Sequence, residues 1–165
     1  MSENKNLNLE ETFALAIKNH QENKLDAAID LYNEILETDL NNAGVYYNLA
    51  LAYDNKDELQ KAIESYKKVI SIDPNYLSAH FNLGIAFKAL GNHQKEISCY
   101  ENIIKIDPSH VKANNNLGLA FKKLGDYQKA KNYFEITIKI DPNFIEAHNN
   151  LGSIFSALGE NQKAI

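Results

Sequence analysis

Five histidines, one cysteine and a population of 22 aspartates and glutamates are the side chains here that could do acid–base, nucleophilic or metal chemistry. A metal site needs such ligands at short, matched spacings. His20, His80, His93, His110 and His148 have no such spacing, and His80 and His148 fall at core-facing positions, where a structural role is expected. Cys99 lies next to Tyr100 without the paired histidine and acid of a nucleophile. No glycine-rich phosphate loop and no paired-carboxylate motif occurs. The sequence therefore reads as a chain with no catalytic residue, no cofactor and no metal, and not as an enzyme.

The remaining chemistry is cationic. All 17 basic residues are lysines, with no arginine anywhere, which removes the side chain suited to bidentate recognition of phosphate and guanine. With a net charge of −5 and a pI near 5.5, nucleic-acid binding is not expected. A single cysteine cannot form an internal disulfide. The start, Met1 to Asn8, is polar and lacks the apolar core of a signal peptide, and no run of apolar residues is long enough to span a membrane. The expectation is a cytoplasmic protein.

The elements that position these residues are set by a repeat. Pro74, Pro108 and Pro142 are 34 residues apart, as are Gly84, Gly118 and Gly152, and Gly91, Gly125 and Gly159. Leu15, Leu49, Leu83, Leu117 and Leu151 keep the same period. The spacing divides the chain into a disordered lead, 1–8, and an array of repeats: 9–42, 43–76, 77–110, 111–144 and a partial 145–165. Each full repeat reads as two amphipathic helices. In the second repeat Tyr46, Leu49, Ala50 and Tyr53 share one face of the first helix, at i, i+3, i+4 and i+7. His80, Leu83, Gly84 and Phe87 do the same in the third repeat, and Asn114, Leu117, Gly118 and Phe121 in the fourth. Ala62, Tyr66, Val69 and Ile70 form the apolar face of a second helix. Gly91, Gly125 and Gly159 fall in the turns between helices, and Asp-Pro pairs close each second helix. Small residues at Ala16, Ala50, Gly84, Gly118 and Gly152 face Ala28, Ala62 and Ala130, which lets the helices approach closely.

The segments Asn-Leu-Gly-x-Ala-Phe (116–121), Leu-Gly-Asp-Tyr-x-Lys-Ala (124–130) and Ile-Asp-Pro-Asn (140–143) resemble the tetratricopeptide repeat, and the resemblance extends over residues 9–165. It implies an all-α, right-handed superhelical solenoid of antiparallel helix pairs, with the first helices lining a concave groove. The first repeat departs most, with Asn19 in place of the aromatic and Leu40 in place of the proline; terminal repeats are commonly atypical.

Positions 2, 5, 6, 9 and 13 of each repeat lie opposite the core face, on what the resemblance makes the groove side. The sixth position reads Ala14, Asn48, Asn82, Asn116, Asn150. This series is similar to the amide ladder of the O-GlcNAc transferase repeats, which holds extended peptides; the other reading is that these amides brace neighbouring helices. Positions five and nine give Phe13 and Ile17, Tyr47 and Leu51, Phe81 and Ile85, then Asn115 and Leu119. They either form an apolar strip for a peptide or helix, or pack between first helices. Lys88, Lys112, Lys122 and Lys123 make the far end basic and suited to an acidic segment or a terminal carboxylate. Asn82, Lys112 and Asn116 match part of the carboxylate clamp of chaperone-tail adaptors, but Tyr47 and Leu51 stand where that clamp has lysine and asparagine.

Glu96 occupies the position of Ala28, Ala62, Ala130 and Ala164; its stem is expected to pack while its carboxylate reaches a lysine or solvent at the rim. Leu151, Ile154, Phe155 and Leu158 form a face at the C-terminal end through which copies of the chain could self-associate. The functional expectation is a scaffold that binds a protein or peptide partner, with a substrate-recognition arm of a larger glycosyltransferase as the alternative.

Overall fold

In a computed structural model the backbone is described over residues 2–159 and side chains from residue 8 onward. Nine α-helices follow one another, with no strand among the described residues. They are α1 Ser2–Gln21, α2 Leu25–Thr38, α3 Ala43–Asn55, α4 Leu59–Ile72, α5 Leu77–Ala89, α6 His93–Ile106, α7 Val111–Lys123, α8 Tyr127–Ile140 and α9 Ile145–Ala157. The fold class is all-α. Residues 2–8, expected as a disordered lead, continue α1 because no proline or glycine interrupts them; Met1 lies outside the described residues.

The chain divides into two compact units, Met1–Ala86 and Phe87–Ile165. In the first, α1 packs on α2, α2 on α3 and α3 on α4; in the second, α6 packs on α7, α7 on α8 and α8 on α9. Short turns between the helices of a pair force them antiparallel. Each turn contains one residue in the left-handed region, at Asn23, Asp57, Gly91, Gly125 and Gly159. Glycine adopts that conformation freely, and asparagine and aspartate tolerate it better than other residues do.

The segments after the second helices are held by their aspartates. Asp39, Asp73, Asp107 and Asp141 each accept a hydrogen bond at Oδ1 from the backbone N–H two residues on. Leu40 can thus replace proline without loss of the turn. A further tie comes from the fourth repeat position: His80 Nε2 donates to the Pro74 carbonyl and His148 Nε2 to that of Pro142, both at 2.9 Å, and Asn114 Nδ2 donates to Pro108 at 3.2 Å. These two histidines are accordingly structural. New helices start on the side chains of Asn42, Asn92, His110 and Asp126, each of which accepts from an N–H of the first turn.

The core is one ring per second helix, set against small residues. Tyr32, Tyr66, Tyr100 and Phe134 are fully buried, as are Ala16, Ala28, Ala50, Ala62 and Ala130. Burial of such a ring contributes roughly 1.5–3 kcal/mol. In the fourth repeat the contact is so close that a Cβ on Gly118 would lie 2.6 Å from the Phe134 ring. Gly118→Ala should therefore lower stability in chemical denaturation by about 1 kcal/mol or more, because overpacking a buried ring outweighs alanine's helix preference. The added change Phe134→Leu should recover part of the loss, and a stabilised Gly118→Ala variant would show that the ring yields freely.

Candidate functional site

In the first unit the residues expected to face a ligand split by position. The fifth-position rings turn inward: Phe13 packs on Tyr32, with centroids 6.1 Å apart, and Tyr47 lies 6.0 Å from Tyr66 and 5.0 Å from Tyr76. Phe81 is half-buried. The ninth-position aliphatics stay more open: Leu51 is half-buried and Ile85 is 45% exposed. Asn48 Nδ2 donates to the Gly44 carbonyl of its own helix at 2.8 Å, and Asn82 Nδ2 donates to the Tyr47 hydroxyl at 3.1 Å. Both amide nitrogens thus have partners within the unit. The Tyr66 hydroxyl donates to Asp54 Oδ2 at 2.5 Å, and burial, that hydrogen bond and the nearby carboxylate raise its pKa well above the phenol range. Tyr47, Asp54, Tyr66 and Asn82 make a polar seam beneath the surface of α3 and α5. His20 takes the same part for Tyr32 in the first repeat: Asn55 Nδ2 donates to His20 Nε2, which leaves Nδ1 to donate to Tyr32 at 3.4 Å.

In the second unit a cleft of about 650 Å³ opens where the end of α5, the start of α6, the end of α7 and the start of α8 meet. Its walls are apolar at Ala89, Leu119, Ala120 and Tyr127, and Lys88, Lys122 and Lys123 stand round it. Lys122 Nζ donates to Ser153 Oγ at 2.6 Å, and that hydroxyl donates to the Asn150 carbonyl at 2.8 Å, so α9 fixes the ammonium in place. Lys112, grouped with these lysines in the sequence, is exposed and outside the cleft. Asn116 is half-buried, and burial raises the pKa of the Tyr100 hydroxyl above the phenol range. Asn115 is buried, and its Oδ1 accepts no hydrogen bond among the described residues. Asn150 is half-buried on α9.

Glu96 departs from expectation. Its side chain is 1% exposed, and the carboxylate reaches neither lysine nor solvent but accepts from His93 Nδ1 at 2.8 Å. The two residues stand on one face in the first turn of α6, where the helix N-terminus also favours an anion. His93 and Glu96 line the cleft together. Spacing alone did not single out this pair; the signal was a histidine three residues before a glutamate at an alanine position. On α9, Ile154 is fully buried, Leu151 and Phe155 are half-buried, and Leu158 is 37% exposed. The Lys131 ammonium lies 5.1 Å from the Phe155 ring centroid. Residues 160–165, including Ala164, lie outside the described residues. Among those described, no group of three histidine, cysteine or acidic side chains could hold a metal, and no helix is long and apolar enough to cross a membrane.

Family models described as tetratricopeptide repeat match residues 77–110 and 111–144, and one described as TPR repeat matches 55–91. The chain is similar to the crystal structure of a MamA protein, with 28% identity, 94% of this chain and 85% of that one covered, and a TM-score of 0.88. It shares its fold with MamA from Desulfovibrio magneticus RS-1 (18% identity, 94% and 88% covered, TM-score 0.85). The same holds for YrrB, described as a TPR protein with an unusual peptide-binding site (20% identity, 93% and 78% covered, TM-score 0.79). No curated protein sequence gives a significant match.

The polar seam of the first unit has a measurable consequence. Burial holds the Asp54 carboxyl above its ordinary range, while the Tyr66 hydrogen bond acts in the opposite direction. A raised folded-state pKa means that the fold binds the proton more tightly than the unfolded chain does. Asp54 therefore favours folding at low pH, and that contribution is lost as pH rises through the raised value. Asp54→Asn keeps an acceptor for Tyr66 and carries no charge. Its stability relative to wild type should increase between about pH 3 and pH 7 in thermal melts; a difference that stays constant with pH would assign the raised pKa no role.

Proposed function

As the chain belongs to the tetratricopeptide-repeat family and is a protein-interaction scaffold, we propose that it holds an acidic peptide segment of a partner in the cleft of its second unit. One observation carries this reading: three lysines surround an apolar cleft in a chain that is acidic as a whole. Carboxylates of the segment meet Lys88, Lys122 and Lys123, and an aliphatic side chain rests on Leu119 and Ala120. Lys122 needs little reordering to bind, since Ser153 already fixes it. That YrrB has a peptide-binding site supports the reading at the level of the fold.

Ile85 and Leu51, the more open aliphatics of the first unit, would suit an apolar side chain of a partner. The amides of Asn48 and Asn82 serve this reading as braces that keep α3 and α5 in shape. The proposal assigns the chain recognition and no bond-making step.

Selection from a peptide display library should return sequences rich in aspartate and glutamate. The charge reversal Lys88→Glu with Lys122→Glu should weaken their binding by roughly tenfold or more. Wild-type affinity should also fall with added salt, as rim charges are screened. Selected peptides that bind the double variant with undiminished affinity would overturn the assignment of this cleft.

A further inference from the structure

The first unit has a second cleft, of about 710 Å³, between α3 and α4. Tyr46, Leu49 and Tyr53 form its apolar wall, and Lys61, Glu64, Ser65, Lys67, Lys68 and Ser71 of α4 form the other. Tyr46, Leu49 and Tyr53 lie at i, i+3 and i+7, on a different face of α3 from Tyr47 and Leu51.

The fourth repeat shows what shape this place accepts. Tyr133 stands two 34-residue periods after Ser65, and Phe121 two periods after Tyr53. There the Tyr133 ring stacks on Phe121, with centroids 5.5 Å apart and planes within 3°. The lysine at the matching position accompanies the ring in each case: Lys129 lies 4.9 Å from the Phe121 centroid and Lys61 lies 5.3 Å from that of Tyr53. Serine at position 65 leaves Tyr53 without its stacking partner, and the cleft lies open over it.

The charge round the opening selects what carries a ring to it. Lys61 is already paired with Glu58 at 2.6 Å, and Glu64 accepts from Gln60. Lys67 and Lys68 have no carboxylate partner among the described residues. Two ammonium groups beside an aromatic wall, on a chain of net charge −5, call for a segment that brings its own carboxylates.

We propose that this cleft is a docking site for an aromatic side chain, phenylalanine or tyrosine, carried on an acidic segment of another protein. The incoming ring stacks on Tyr53 as Tyr133 stacks on Phe121, and flanking carboxylates pair with Lys67 and Lys68. The site is distinct from the lysine-rimmed cleft of the second unit and does not depend on it.

The test uses the full chain and a fluorescent synthetic heptapeptide with one phenylalanine flanked on both sides by aspartates and glutamates, read by anisotropy. Saturable binding is expected, and replacing the phenylalanine with alanine should weaken it by about tenfold or more, from the lost burial and stacking. Ser65→Tyr, which copies the fourth repeat, should abolish binding while leaving the helical circular dichroism unchanged. Because a new core-edge ring could disturb folding, Lys67→Glu with Lys68→Glu serves as a surface control and should weaken binding roughly tenfold. Absence of binding overturns the proposal, as does equal affinity for the alanine peptide. Binding that survives both α4 variants but is lost in Lys88→Glu with Lys122→Glu would place the peptide in the other cleft, overturning this site and leaving the proposed function intact.

Discussion

Each of the four complete helix pairs described is built round one large buried ring. Tyr32, Tyr66, Tyr100 and Phe134 each occupy the middle of a second helix with no exposure to solvent. A ring that size fits between two helices only if the residues beside it are small, and so alanine and glycine recur at the close-contact positions. Three of the four rings also bring a hydroxyl inside, which must be satisfied. His20 serves Tyr32 and Asp54 serves Tyr66. Phe134 needs no such partner, and its hydroxyl-free edge is what lies against Gly118.

This constraint explains why the architecture was legible in the sequence and part of the site was not. Glycine, proline and alanine act through backbone conformation and volume, which depend on spacing alone; the period of 34 therefore fixes where helices start, turn and meet. Even the exceptions follow the same physics. Asn23 and Asp57 take the left-handed turn conformation that glycine takes later, and Asp39 holds its turn without proline. The side chains expected on the ligand side depend instead on what each reaches, and a helical wheel does not give that. On the wheel Tyr47 and Asn82 point outward, yet the tyrosine packs on two other rings and accepts the amide's hydrogen bond. Glu96 looked like a carboxylate at a rim because its nearest acceptable partner, His93, lies in its own helix and not across the contact.

The two clefts have a feature in common. Each is lined by a residue that differs from its counterparts at the 34-residue period: Glu96 stands where other repeats have alanine, and Ser65 stands where the fourth repeat has Tyr133. In a repeat protein the regular positions are committed to packing against the next copy of the motif. The irregular positions are free to vary, and lysines stand at both openings.

The buried phenols make the fold sensitive to base. Tyr32, Tyr66 and Tyr100 are all held above the ordinary phenol range, chiefly by burial, so the folded chain resists giving up their protons. Once the pH passes about 10, an unfolded chain releases those protons readily while the folded one does not, and the balance moves toward unfolding. The fourth repeat is affected less directly: Phe134 has no proton to lose, and the raised phenol there, Tyr133, is half-buried beside the central ring. Alkali therefore acts on the chain unevenly: it loosens the three tyrosine-centred pairs while the phenylalanine-centred pair has no ionisable group at its heart.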